Sequence, residues 1–248
     1  MPRPRPCRRT TNRCFASGVS ERVAATSRRR SSCDCVRTLV ILISGRGSNM
    51  EALLNAALPA RIAAVISNRA DAAGLAIAAR HGIATRVVEH RQFASRDAFD
   101  AQLAGVIDEY APDYVLLAGF MRILGEAFVN RYPGRLVNIH PSLLPAFPGV
   151  HTHARALAEG VKVHGCTVHL VTPRLDHGPI IVQAAVPVRA DDTEDALAAR
   201  VLEQEHRIFP QAVRWLCEGR VCVHDEGRVE VRDVTPASGA LVVPALEA

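Results

Sequence analysis

The stretch Thr38-Leu39-Val40-Ile41-Leu42-Ile43-Ser44-Gly45-Arg46-Gly47-Ser48-Asn49 decides the fold class. After Thr38 its first half is apolar at every position and rich in β-branched residues, the pattern of a strand buried on both faces. Glycines then turn the chain, and Ser48–Ala57 has the composition of a helix. The alternation continues outward from there. Ile62–Ser67 predicts a second strand, Asp71–Arg80 a helix ended by Gly82, and Thr85–Val88 a short strand. Ser95 is placed to cap a helix running to Tyr110, with Asp97 in the first turn where negative charge suits the helix dipole. It is not a capping box, because Ala98 stands where Glu or Gln would be. Tyr114–Ala118 and Arg135–His140 predict two more strands. Apolar runs alternating with helical patterns imply an α/β protein with a mostly parallel twisted sheet and helices on both faces.

The C-terminal third follows a different pattern. Thr152–Glu159 predicts a short helix ended by Gly160, and Val163–Val171 and Ile180–Val188 predict two longer strands, antiparallel to each other. Asp192–Trp215 predicts a long helix, kinked or split near Pro210. Val221–Val223 and Val229–Val231 suit a hairpin around Asp225-Glu226-Gly227. The organisation expected is an Arg-rich, disordered extension over 1–37, a domain over 38–235 and a loose tail over 236–248.

Charge separates the extension from the domain. The chain of 248 residues carries +5, but residues 1–37 hold ten Arg against Glu21 and Asp34, while the remainder has 20 basic and 23 acidic residues. The basicity therefore belongs to the extension, and a mildly acidic domain argues against a nucleic-acid partner. An Arg-rich, acid-poor extension without an apolar segment fits an organellar transit peptide, a start assigned too far upstream, or a nucleic-acid-binding arm. No apolar run is long enough to span a bilayer, so no membrane partner is expected. Seven Cys, with Cys7, Cys14, Cys33 and Cys35 in the extension and Cys166, Cys217 and Cys222 in the domain, make no disulfide framework. A reducing, cytoplasmic setting is the expectation.

Two segments suggest chemistry. The loop Ser44–Asn49 ends a strand and opens a helix, so free backbone N–H groups face whatever binds there. It is neither a dinucleotide fingerprint, since Met50 replaces the third glycine, nor a Walker A loop, since the only lysine is Lys162. A phosphate monoester remains. The second segment is Asn138-Ile139-His140-Pro141-Ser142-Leu143-Leu144-Pro145. On a strand, Asn138 and His140 share a face at the C-terminal end, where open α/β sheets bind ligands. An amide donor beside an imidazole suits acyl transfer.

The run Asn138–Pro145, followed by Gly149-Val150-His151-Thr152-His153, closely resembles the phosphoribosylglycinamide formyltransferases, over roughly Leu39–Leu216. The resemblance implies a Rossmann-like formyltransferase fold, with a phosphate-binding half over about 38–138 and a catalytic and folate-binding half over about 139–220. It implies transfer of a formyl group from 10-formyltetrahydrofolate to a phosphoribosylglycinamide in purine biosynthesis, without a metal. By position it implies Asn138, His140 and Asp176 of Leu175-Asp176-His177-Gly178-Pro179 as catalytic. Gly47, Ser48, Asn49 and Glu205 would hold the phosphorylated amine. Arg96, Met121, Arg122, Ile123 and Leu124, with Asn138, would hold the folate. His177 and Pro173 depart from the Gly and the acid that the family pattern leads one to expect. The partners implied are small molecules, for a monomer or homodimer.

Rival readings remain distinct. A formyltetrahydrofolate hydrolase should lack the phosphate loop and usually carries an extra N-terminal domain. A methionyl-tRNA formyltransferase needs an RNA-binding domain, and only 33 residues follow Trp215. A non-catalytic nucleotide-sugar module has no use for Asn138, His140 and Asp176. His140, His151, His153, His164, His169 and His177 call for a metal test, but no Cys or acid completes a set at ordinary spacing.

Overall fold

The computed structural model describes residues 36–235 with Gly239, Leu241 and Val243. The expected disorder over residues 1–35, their four cysteines and most of the C-terminal tail lie outside the described residues, while Arg37, expected in the extension, already belongs to the first strand.

Seven strands form one sheet: β1 (Arg37–Ile43), β2 (Ala60–Ser67), β3 (Ala84–Val87), β4 (Tyr114–Leu117), β5 (Leu136–His140), β6 (Val163–Leu170) and β7 (Ile180–Pro187), in the order β3-β2-β1-β4-β5-β6-β7. Strands β1 to β5 are parallel, and β6 and β7 add on antiparallel. The strand order reverses between β1 and β4, which opens a crevice at their C-terminal ends.

Side-chain alternation along β1 explains the layers. Leu39, Ile41 and Ile43 enter one core, with side chains of α1 (Ser48–Asn55), α2 (Ala73–Arg80) and, further along the sheet, α5 (Thr152–Ala158) and α6 (Glu194–Cys217). Val40 and Leu42 enter the other, under α3 (Arg96–Asp108) and α4 (Glu126–Arg131). Because both faces are covered, the middle of β1 is apolar throughout.

Local signals account for the helix starts. Ser95 Oγ accepts from Ala98 N at 3.2 Å, as its capping position predicts. Thr193 Oγ1 does the same for Ala196 N at 3.2 Å at the start of α6. Leu197, Val201, Glu205, Phe209 and Val213 recur every four residues on the buried side of α6. Burial of each large apolar member contributes about 1.5–3 kcal/mol. That stripe runs unbroken past Pro210, and the helix is continuous rather than split there. Pro210 lacks the N–H that would bond the carbonyl of His206, and packing holds the segment helical despite this. Helix α4 and two 3-10 turns, at His90–Gln92 and Asp225–Gly227, are additions to the expected elements. The small hairpin, β8 (Val221–Val223) and β9 (Val229–Val231), is present.

Candidate active site

The loop after β1 is shaped by contact with α2. Gly47 has φ +80°, and a Cβ there would lie 2.7 Å from Gly74 Cα, so the position excludes any side chain. Gly74 N donates to Gly45 O at 3.0 Å and ties the loop to α2. Ser48 and Asn49 then open α1. The Asn49 side chain, which the resemblance assigns to the phosphorylated amine, is bonded within the protein. Its Nδ2 donates to Glu205 Oε2 at 2.6 Å, while its buried Oδ1 has no hydrogen-bond partner. Glu205 is buried on α6, and that burial raises its pKa against the opposing bond from Asn49. The loop and Glu205, 156 residues apart, are thus one cluster.

Asn138 and His140 share a face of β5, as alternation requires, and Asp176 reaches them from the β6–β7 connection. His140 Nδ1 lies 3.6 Å from Asp176 Oδ2, with both side chains nearly inaccessible. His140 Nε2 is 3.1 Å from Phe147 O. A carbonyl only accepts, so Nε2 carries a hydrogen and the Nδ1 edge faces the carboxylate. The doubly protonated ring would have an acceptor on each side. Asp176 itself takes the left-handed conformation, φ +48°, unusual for a residue with a side chain. Its Oδ2 accepts from Gly149 N at 2.8 Å, which helps hold it there. Gly178 explains the rest of the turn motif: a Cβ there would sit 1.7 Å from Leu170 O.

His169 completes this group, a residue for which sequence reasoning weighed only a metal and assigned no individual catalytic or binding role. It pairs across the sheet with Asn138. Its Nδ1 is 3.0 Å from Leu170 O, so it donates there, which leaves Nε2 to accept from Asn138 Nδ2 at 3.2 Å. Burial holds the His169 ring below the ordinary histidine range, against the pull of Leu170 O and of Asp176, 4.0 Å away. A neutral His169 therefore orients the Asn138 amide and leaves its second N–H for another acceptor. The available signal was a histidine in the otherwise apolar run Val168-His169-Leu170; its partner depends on the strand register.

The loop after β4 presents two large apolar side chains to solvent, Met121 at 77% and Ile123 at 59% exposure. Arg122 and Leu124 alternate inward. The Arg122 guanidinium lies over the Phe99 ring at 5.6 Å, and its Nε is buried without a partner. Arg96 begins α3 beside this loop and is exposed. An exposed apolar lip backed by cations suits a flat ring system with an anionic end. Among the described residues, no three His, Cys, Asp or Glu side chains converge to hold a metal ion.

Comparison with known proteins points in one direction. Residues 37–213 match the family described as Formyl transferase. The chain is 52% identical over 191 residues to the phosphoribosylglycinamide formyltransferase of Escherichia coli (strain K12), covering 75% of this chain and 90% of that protein. It is 46% identical over 195 residues to the trifunctional purine biosynthetic protein adenosine-3 of Homo sapiens, covering 77% of this chain and 19% of that much longer one. Among solved structures, glycinamide ribonucleotide transformylase 1 from Symbiobacterium toebii superposes with a TM-score of 0.78 at 47% identity, over 80% of this chain and 95% of that one. The phosphoribosylglycinamide formyltransferase of Coxiella burnetii, in complex with CHES, gives 0.75 at 46% identity, over 79% and 93%.

Proposed function

The chain belongs to the formyl transferase family, and from that premise we propose that it moves the formyl group of 10-formyltetrahydrofolate onto the amine of N1-(5-phospho-D-ribosyl)glycinamide, in de novo purine biosynthesis. The observation that carries the reading is the convergence of Asn138, His140 and Asp176 at the C-terminal end of β5, next to β4 with its apolar lip and in the same sheet as β1 with its phosphate-type loop. Both substrates are small molecules, and the step takes place in the cytoplasm, without a nucleic-acid partner, in a monomer or homodimer.

The formyl group on N10 is an activated amide, which the primary amine attacks directly. No enzyme nucleophile and no metal enters the step. Negative charge grows on the formyl oxygen, and the departing N10 needs a proton. Asn138 donates its second amide N–H to that oxygen, and the His140 imidazolium supplies positive charge beside it. Asp176 supports the charged ring and passes the amine's proton to N10 through water. Gly47, Ser48 and Asn49 at the start of α1 receive the phosphate, with Glu205 on the ribose. Arg96 and the loop from Met121 to Leu124 receive the folate.

A hydrolase would spend the same formyl group on water, and the built loop around Gly47 and Glu205 would then have no ligand. The test follows folate release by absorbance with and without the phosphorylated amine. Turnover only in its presence is expected; turnover without it supports the hydrolase. His140→Ala and Asp176→Ala should each lower kcat about a hundredfold or more while a folate analogue still binds. Near wild-type turnover in either sinks the mechanism.

A further inference from the structure

The loop from Ala118 to Gly125 has no regular structure, yet two of its backbone N–H groups are held by side chains from outside it. Met121 N donates to Ser44 Oγ at 2.8 Å. Gly125 N donates to Asp100 Oδ2 at 2.7 Å. Ser44 is buried, and its hydroxyl hydrogen is fixed from behind by Asn68 Oδ1 at 2.6 Å, so its lone pairs face the loop. Ser44 is also the first residue after β1, at the start of the phosphate-type loop.

Asp100 is harder to explain by packing. It is a buried carboxylate on α3, and its Oδ1 has no hydrogen-bond partner. Burial raises its pKa, against the bond from Gly125 and the nearby Arg96 and Arg122. An incompletely partnered buried carboxylate is costly, and an apolar residue of similar volume would fill the place more cheaply. Its contact is close: a Cβ on Gly125 would sit 3.0 Å from Asp100 Oδ2. Both anchors fix backbone, and they bracket the four residues Met121 to Leu124.

We propose that Ser44 and Asp100 are positioning residues for the folate co-substrate, clamping the loop from both ends so that its backbone N–H and C=O groups are set to meet the pterin. Neither touches the ligand. The proposal rests on the folate reading of this loop. Through Ser44 the clamp also joins the loop to the first turn of the phosphate half.

The test measures separate KM values for the two substrates, kcat, and folate-analogue affinity by calorimetry, in Ser44→Ala, Asp100→Leu and Asp100→Asn. Ser44→Ala and Asp100→Leu should weaken folate KM and analogue affinity about fivefold or more, with the KM of the phosphorylated amine within about twofold of wild type. Asp100→Asn keeps an oxygen to accept from Gly125 and should restore the folate values. Equal rises in both KM values, a lower Tm with unchanged folate affinity, or an Asn variant as impaired as the Leu variant would each overturn the clamp. Ser44→Ala removes one hydroxyl and decides the matter if Asp100→Leu does not fold. A wild-type protein with no affinity for the analogue would overturn the functional reading as well; intact wild-type affinity retained by the variants overturns the clamp alone.

Discussion

Gly45 and Gly47 stand two residues apart in one loop, and only one of them is irreplaceable. A Cβ on Gly45 meets nothing within 4 Å, whereas one on Gly47 would run into the α2 backbone from a left-handed conformation. Gly47→Ala should therefore cost about 1–3 kcal/mol of strain, lowering Tm by roughly 3–10 °C. It should also raise the KM of the phosphorylated amine, because relief of the clash displaces the start of α1. Gly45→Ala is the matched control, and calorimetry showing equal losses in the two variants would refute the packing argument. At this scale the sequence was informative wherever a residue's role depends on its immediate neighbours along the chain. The faces of Asn138 and His140 follow from strand alternation, and the Asp176-to-Gly178 turn from its composition. Partnerships across the fold were not visible. Nothing local to Asn49 shows that its amide is taken by Glu205, although Glu205 falls in register with Leu197, Val201 and Phe209, an inward signal on α6.

Strand β6 carries two functions on its two faces. Cys166, Val168 and Leu170 enter the core, while Thr167 and His169 serve the site. Thr167 Oγ1 donates to Ser142 O at 2.6 Å and accepts from Leu144 N at 3.1 Å and Gln183 Nε2 at 2.9 Å. This one hydroxyl holds the connection after β5, whose Phe147 carbonyl in turn receives His140. Thr167→Val should strand buried groups and cost about 1–3 kcal/mol. The His140 ring should lose its fixed orientation too, lowering kcat about tenfold with both KM values little changed. Thr167→Ser should restore stability and rate together; a Val variant with normal kcat would show that the connection needs no such anchor. The main elements were legible because covered strands are continuously apolar and α6 has a four-residue stripe. Helix α4 was missed because six residues are too few to establish a period. Pro210 misled for a related reason: a local rule against proline in helices was outweighed by the tertiary packing of Phe209 and Val213.

For the whole molecule, the buried ionisable groups set a pH dependence whose sign can be worked out. His164 is 1% exposed, has no hydrogen-bond partner on either ring nitrogen, and stacks edge-on against Phe147 and His153. Burial pushes its pKa down from 6.5 to about 4, aided by His153 and opposed by the Pro141 backbone nearby, and His153 is lowered chiefly by burial too. Above about pH 7.5 the ring is neutral folded or unfolded and contributes no dependence. As pH falls from 6.5 toward 4, the unfolded chain binds the proton first, so stability drops, by on the order of 2–3 kcal/mol for His164. Asp192, held down to about 2 by Arg200, begins to lose its contribution only near the ordinary carboxylate range, below most of this window. Asp100 and Glu205 oppose the histidines: their raised pKa values mean the folded form binds a proton before the unfolded one as pH falls, which relieves the penalty of burying their charge. The net slope of wild-type Tm is thus a difference between two sets, and a single substitution separates them. His164→Phe keeps a buried aromatic against Phe147 and removes the titration. Its Tm should therefore fall less steeply than wild type between pH 6.5 and 4, with the two curves parallel above about 7.5. Parallel curves across the whole range, in a folded variant, would mean that His164 is protonated in the native protein as readily as in the unfolded chain.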